Sequence, residues 1–338
     1  MNVASPIQVF RWFSHKSLGI CLTTALAGTA YLLRTLPGLN LFSPLILAIV
    51  LGMLLRNTIG MSKDCQAGVS FAMKQVLRFA IVLLGLQLSL IQVMSIGING
   101  ITLTVFTLLS TFGFTCWMGQ WLGISRSLTY LIAAGTSICG ASAVIATSTA
   151  TKSSDRDTTY AVAIVTIFGT LSMLGYPLLP TLLNLTPEAF GIWCGASIHE
   201  VAQALAASFQ TSPISGELAS ITKLSRVLWL GPMVLSIGAL ASTPSSEGKL
   251  QLRAISIPWF IVYFMLLILL NSLNIFPASF KSAIGQINQF LLTIAMAAMG
   301  LETKLKYIQE AGLKPLYLGA CSWLFISIVS YGLIQTFY

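Results

Sequence analysis

Apolar residues run along this chain in long blocks, not in the alternation of a half-buried strand or the half-polar period of a surface helix. Blocks of this length read as bilayer-spanning helices, for which about 20 residues suffice. Eleven are placed near residues 18–36, 42–55, 76–93, 98–122, 128–149, 160–183, 188–209, 218–240, 255–275, 286–301 and 313–338. Polar punctuation separates them: LPGLN after the first, MSKD after the second, TKSSDRD after the fifth, TPSSEGK after the eighth and NIFPASFK after the ninth. None of these linkers is long enough to be a domain boundary. Residues 1–338 are therefore expected to form one all-α polytopic membrane domain: a leading helix at 18–36, then five spans over 42–183 and five over 188–338. Arg11 and Lys16 precede the first block as they would in a signal peptide. That block lacks an A-x-A cleavage pattern at its end and is expected to be retained.

Composition removes the soluble alternatives. Hydrophobic residues make up 56% of the chain and charged residues 8%, with a mean hydropathy of +0.86; a soluble globule carries about 25% charged residues. The net charge of +9 follows the positive-inside rule. With the N-terminus inside, twelve of the eighteen Lys and Arg residues fall on the cytoplasmic side, among them Arg56, Lys63, Lys74, Arg78 and Arg126. The opposite tally contains Arg34, Lys152, Arg156, Lys223, Arg226 and Lys281. The expected topology has the N-terminus cytoplasmic and the C-terminus external. No basic segment is interleaved with aromatics, so a nucleic-acid partner is not expected. Cys21, Cys65, Cys116, Cys139, Cys194 and Cys321 stand singly and read as packing residues, not disulfides or metal ligands. No cofactor is expected.

Residues 135–148, GTSICGASAVIATS, interrupt an apolar block with glycines and hydroxyls. Unpaired backbone survives at bilayer depth only where protein or a watery cavity covers it. Ser137, Ile138 and Cys139 would end one half-helix; Gly140, Ala141 and Ser142 would begin the next, whose free amides and positive dipole end suit an anion. With the Thr136 hydroxyl they form the candidate substrate-binding set. Alternatively, the small residues simply let two helices pack closely.

GASIHEVAQALAA, residues 195–207, is the second polar interruption. On a continuous helix His199, Glu200 and Gln203 share one stripe, and ionisable groups within a span are functional candidates for proton or ion coupling. HEVAQ is one residue from the zinc-protease H-E-x-x-H, but Gln203 replaces the second histidine and no metal site is expected. A second break is expected in AMAAMGLET at the end of 286–301, because it holds the fourth position in its set of five as GTSICGAS does in the other. Two odd-numbered sets would run in opposite orientation, the pattern of an inverted-repeat transporter. Against this register, Gly85-Leu86-Gln87 resembles Gly300-Leu301-Glu302. Gln87 either faces a cavity or bonds across helices. Glu302 either joins the break or ends a helix in solvent. Lys223 and Arg226 either draw an anion toward the pore or snorkel to the interface. Asp155, Arg156 and Asp157 read as the start of a helix. No P-loop, dinucleotide motif or nucleophile elbow is present.

The stretch AAGTSICGASAVIATSTATKSSDRDTTYA together with GASIHEVAQALAA, KLSRVLWLGP and AMAAMGLETKL, in this order, closely resembles the sulfate exporter family of bacterial inner-membrane proteins. The resemblance covers nearly the whole chain from the second span. That family is grouped with sodium/proton antiporters and bile-acid symporters. The grouping implies two inverted five-helix repeats, a panel-like domain and a core domain with two crossed, interrupted helices. Its name does not by itself establish sulfate. The implied activity is secondary export of a small anion, sulfate or sulfonate-like, coupled to protons or another ion, by a protein that is not an enzyme. The partners would be that anion and the lipid bilayer, with a homo-oligomer left open. A non-transporting scaffold or channel, or a membrane-embedded enzyme built on His199 and Glu200, are the alternatives.

Overall fold

A computed structural model describes residues 6–241, 259–273, 275–303 and 312–338. The TPSSEGK linker, the start of the ninth expected span, and Lys249, Arg253, Lys304 and Lys306 lie outside the described residues. Among the described residues there is no strand. The helices are α1 (Pro6–Leu33), α2 (Pro44–Thr58), α3 (Lys63–Phe71), α4 (Leu77–Leu84), α5 (Leu90–Trp121), α6 (Arg126–Ser137), α7 (Ala141–Thr151), α8 (Asp155–Gly175), α9 (Pro187–Ser197), α10 (Val201–Thr211), α11 (Pro213–Leu228), α12 (Leu230–Ala241), α13 (Trp259–Ser272), α14 (Ala278–Glu302) and α15 (Leu313–Phe337). Among the described residues, six helical segments are long and apolar enough to cross a membrane: Lys16–Leu33, Lys63–Leu84, Gly97–Trp121, Asp155–Leu178, Ser279–Glu302 and Leu313–Phe337. Pro44–Thr58 and Trp259–Ser272 are apolar but shorter.

The helices form two compact units, interleaved in sequence. One contains α1–α4, α13 and α14. Its helices approach closely where glycines face each other. A Cβ on Gly300 would lie 2.9 Å from the Met53 amide nitrogen and 3.0 Å from the Gly52 Cα, and one on Gly19 would lie 2.7 Å from the Gly68 Cα. Without lipid-excluding hydrophobic gain, such backbone contact is what holds membrane helices together. This accounts for AMAAMGLET: α14 is continuous through it, and its small residues serve the crossing with α2. The expected second break is not there.

The third span also differs from its expected position at 76–93. It begins at Lys63, after the Ser62 cap, and continues through a π-helical turn at Ala72–Val76 to Leu84. Lys74 and Arg78 are not buried and are therefore tolerated. Tight turns over Leu84–Gln87 end the helix. The next segment is fixed by Asn271 Nδ2 donating to the Leu88 carbonyl at 2.7 Å, and by the Leu90 amide donating to Ser272 Oγ at 2.7 Å.

The other unit holds α5–α12 and α15. Leu131, Ile132, Val144, Ile164, Val165, Phe168 and Leu318 form a core shared by α6, α7, α8 and α15. Tyr176 stacks on Trp193 at 4.0 Å, and both bond to Ser327 of α15. Ser154 caps α8, accepting from the Asp157 amide at 3.1 Å, with Asp155 and Asp157 in the first turn where the helix dipole favours them.

Neither 128–149 nor 188–209 is a single span. Ser127 Oγ, at the start of α6, donates to Ser153 Oγ, just past the end of α7, at 2.9 Å. The two helices therefore run antiparallel, as a hairpin. Likewise Ser215 Oγ, a few residues beyond the end of α10, donates to the Pro187 carbonyl at the start of α9 at 2.6 Å. The chain thus returns to its starting level and α9–α10 is a second hairpin. The expected pair of crossed, interrupted spans is replaced by two helical hairpins.

Candidate functional site: two hairpin tips

Each hairpin is built by local signals at its ends. Ser125 caps α6 and Thr186 caps α9, with Pro187 preset for the first helical turn. At the first tip Ile138 leaves the helical region and Gly140 takes φ 67°, ψ −135°, a conformation that a Cβ strongly disfavours. The Gly140 amide closes the turn by donating to the Gly135 carbonyl at 2.8 Å. The second tip contains no glycine. Ile198 and Glu200 are extended, with ψ 140° and 150°. The two tips nevertheless correspond at an offset of 60 residues: GTSICGASAVIA at 135–146 against GASIHEVAQALA at 195–206. Ile138 and Ile198 are the paired residues at which the first helix of each hairpin ends.

Ending two helices inside protein strands their last carbonyls, which need donors. Two cations on α11 supply them. Arg226 donates through one terminal nitrogen to the carbonyls of Gly195 (3.4 Å) and Ala196, and through the other to those of Thr136 (3.2 Å) and Ser137. Lys223 Nζ donates to the carbonyls of Ile138 (3.3 Å) and Ile198. Both side chains are 0% exposed. They do not snorkel, because their donors are satisfied by the carbonyls that end α6 and α9, whose negative dipole ends offset part of their charge. Each cation binds both hairpins, so the tips meet at α11.

Glu200 provides the carboxylate at the tips. It is half-buried and lies near the Ala141 amide, the first of α7, and the Thr166 side chain on α8. A Cβ on Gly140 would meet Glu200 Oε1 at 3.4 Å and crowd its Cγ still more closely. The amide end of α7, expected to hold a substrate anion, thus already faces an anion of the chain itself.

His199, Glu200 and Gln203 do not share a helical stripe. His199 and Glu200 lie in the tip, and Gln203 is in the first turn of α10. Gln203 accepts from the Glu200 amide at 3.3 Å and donates to the Thr166 carbonyl at 3.2 Å and Thr170 Oγ1 at 3.1 Å. It fixes the tip to α8. His199 is 1% exposed, and neither ring nitrogen has a hydrogen-bond partner among the described residues; Thr136 Oγ1, Thr222 Oγ1 and Arg226 Nε share that state. Thr222 and Thr166 did not stand out in the sequence. The 60-residue offset was the signal that would have shown the second tip, and with it the helices packed around it.

Among the other candidates, Ser137 Oγ bonds back to the Ala133 carbonyl at 2.6 Å, Cys139 is buried, Ala141 half-buried and Ser142 exposed. Gln87 and Glu302 belong to the other unit. Gln87 lies beside Gly285 of α14. Glu302 is the last residue of α14 and lines a hollow with Lys63 and Lys74. No group of three or more His, Cys, Asp or Glu side chains suited to a metal occurs among the described residues.

A family model described as Conserved hypothetical protein 698 matches residues 18–319. The chain is 38% identical over 321 residues to the UPF0324 inner membrane protein YeiH of Escherichia coli strain K12, covering 92% of each chain. It is 40% identical over 304 residues to the UPF0324 membrane protein PM1461 of Pasteurella multocida strain Pm70, covering 87% of this chain and 90% of the relative. Similarity to a Yersinia pestis UPF0324 membrane protein is 36% identity over 340 residues, 96% and 94% of the two chains. This is the family to which the GTSICGAS and HEVAQ motifs pointed, and the chain belongs to it: the UPF0324, or conserved hypothetical protein 698, family of membrane proteins.

Proposed function

We propose that this protein is a secondary transporter that moves a small anion, of the sulfate or sulfonate class, past the two hairpin tips by alternating access, with Glu200 as the proton-coupling group. The observation that carries this reading is the charge balance at the tips. Two fully buried cations, Lys223 and Arg226, sit at the tips with one carboxylate, Glu200, which interacts with the Lys223 charge. A buried excess of positive charge is costly unless an anion completes it. Unpartnered groups on His199, Thr136, Thr222 and Arg226, and the amide end of α7 at Ala141 and Ser142, are suited to bind one. Counterflow in proteoliposomes tests this. Labelled sulfate or a small sulfonate should exchange through the wild-type protein, and His199→Ala should slow exchange about tenfold or more, the loss expected when one good polar contact is removed. Exchange no faster than in empty liposomes across a panel of such anions would remove the reading.

The hairpins also sharpen the proposed topology. A hairpin returns to the side it entered, so Lys152 and Arg156 join Arg126 on the cytoplasmic side, and Lys223 and Arg226 leave the tally as buried groups. Fourteen of the eighteen basic residues then fall inside and only Arg34 and Lys281 outside. We further read the chain as nine spans and two hairpins in inverted repeats of five elements. The first set is α2, α3–α4, α5, α6–α7 and α8. The second is permuted, beginning with its own hairpin: α9–α10, α11–α12, α13, α14 and α15. This pairing puts hairpin with hairpin and aligns the Gly85-Leu86-Gln87 and Gly300-Leu301-Glu302 helix ends. Cysteines placed at Arg126 and Lys152 in a cysteine-free background should react with an impermeant maleimide from the same face, and one at Arg34 from the opposite face. Labelling of the first two from opposite faces would contradict the hairpin topology.

A further inference from the structure

Carbonyl groups at the ends of broken helices are, in general, the oxygen ligands that hold sodium or potassium ions in membrane proteins. Here the two tips turn six such carbonyls toward α11: those of Thr136, Ser137 and Ile138 from one hairpin and Gly195, Ala196 and Ile198 from the other. Every one accepts from Lys223 or Arg226. The correspondence is close to symmetric, since Ile138 and Ile198 occupy equivalent positions and share the single Lys223 ammonium.

We infer that Lys223 is a tethered monovalent cation, occupying a carbonyl site at the hairpin tips that would otherwise take an alkali-metal ion, so that the site needs neither sodium nor potassium. Arg226 supports this arrangement. Its two terminal nitrogens span both hairpins and hold the Ile138 and Ile198 carbonyls within reach of one ammonium. Lys223 itself carries one unit of charge on a compact donor, as an alkali ion does. The inference bears on the transport reading in one respect: the cycle that moves the anion draws on protons at Glu200 and not on a sodium gradient.

The test is thermal unfolding of the purified full chain in detergent, at constant chloride and ionic strength, with sodium or potassium exchanged for choline. The wild-type midpoint should agree within about 1 °C across the three salts. Lys223→Ala should unfold about 5 °C or more lower in choline and recover some of that loss, saturably, with sodium, potassium or ammonium. Should Lys223→Ala not yield folded protein, Lys223→Met, which keeps the stem, is measured in the same way. A saturable rise of the wild-type midpoint with sodium or potassium would overturn the inference. So would a folded Lys223 variant that no small cation stabilises. None of these readings involves the transported anion, so the two proposals fail separately. Anion exchange that requires sodium would sink this one and leave the anion reading standing. A cation-indifferent wild type with a rescued Lys223 variant but no anion exchange would do the reverse.

Discussion

Replacing Arg226 with leucine is expected to cost the protein most or all of its stability. The guanidinium is fully buried and serves four carbonyls at the ends of α6 and α9. Each buried acceptor left without a donor costs about 1–3 kcal/mol, while a whole domain is stable by only roughly 5–15 kcal/mol. The negative ends of two helices would also face each other with only the Lys223 ammonium left to offset them. The expected result is aggregation on size-exclusion chromatography, or a midpoint lowered by about 10 °C or more in thermal unfolding. Arg226→Lys should fall between the wild type and Arg226→Leu, since one ammonium keeps the charge but lacks the fork that reaches both hairpins. A folded Arg226→Leu protein with a near wild-type midpoint would mean that the tips do not depend on this residue.

The second large effect belongs to Glu200. Its carboxylate lies at the Ala141 amide, where the helix end would otherwise receive an external anion. On the proposed reading, carboxylate and substrate anion compete, and a proton on Glu200 favours the substrate. The charged and titratable groups around it are Lys223 and Arg226 on α11, Cys139 at the facing tip, and His199 beside it. Anion binding by the wild type should strengthen as pH falls, because protonation removes the only negative charge among these groups. Glu200→Gln mimics the protonated form, so its anion affinity should be high at every pH. The gain at neutral pH should be about tenfold or more, since a unit charge at about 4 Å is worth roughly 4 kcal/mol at an effective dielectric of 20. Anion uptake by this variant should no longer carry protons. A Glu200→Gln protein whose binding follows pH as the wild type does would exclude Glu200 as the coupling group.

Much of this site was legible in the sequence, though unevenly. The first tip announced itself because Gly140 must adopt a conformation that other residues resist. The second tip did not, because Ile198-His199-Glu200 reaches an extended conformation without glycine or proline. Its stranded carbonyls are satisfied by Lys223 and Arg226, more than twenty residues away, a compensation no local pattern displays. The same distance left those two cations open to either reading, drawing an anion toward the pore or snorkelling to the interface. AMAAMGLET misled for the opposite reason: small residues suit both a helix break and a close helix crossing, and only the partner, Gly52 on α2, distinguishes them. The hairpins themselves were hidden because two half-helices of eleven or twelve residues have the length and hydropathy of one span. The serine contacts that fold them back, Ser127 with Ser153 and Ser215 with Pro187, are tertiary.

Whether the meeting of the two tips is an anion site is tested most directly by isothermal titration of the purified wild-type protein with sulfate and a series of small sulfonates and carboxylates, at neutral and at lower pH and in choline salts. The expected result is saturable binding of at least one of these anions at a single site, tighter at lower pH and tighter in Glu200→Gln. A folded, monodisperse protein that binds none of them at either pH, with Glu200→Gln equally inert, would contradict it.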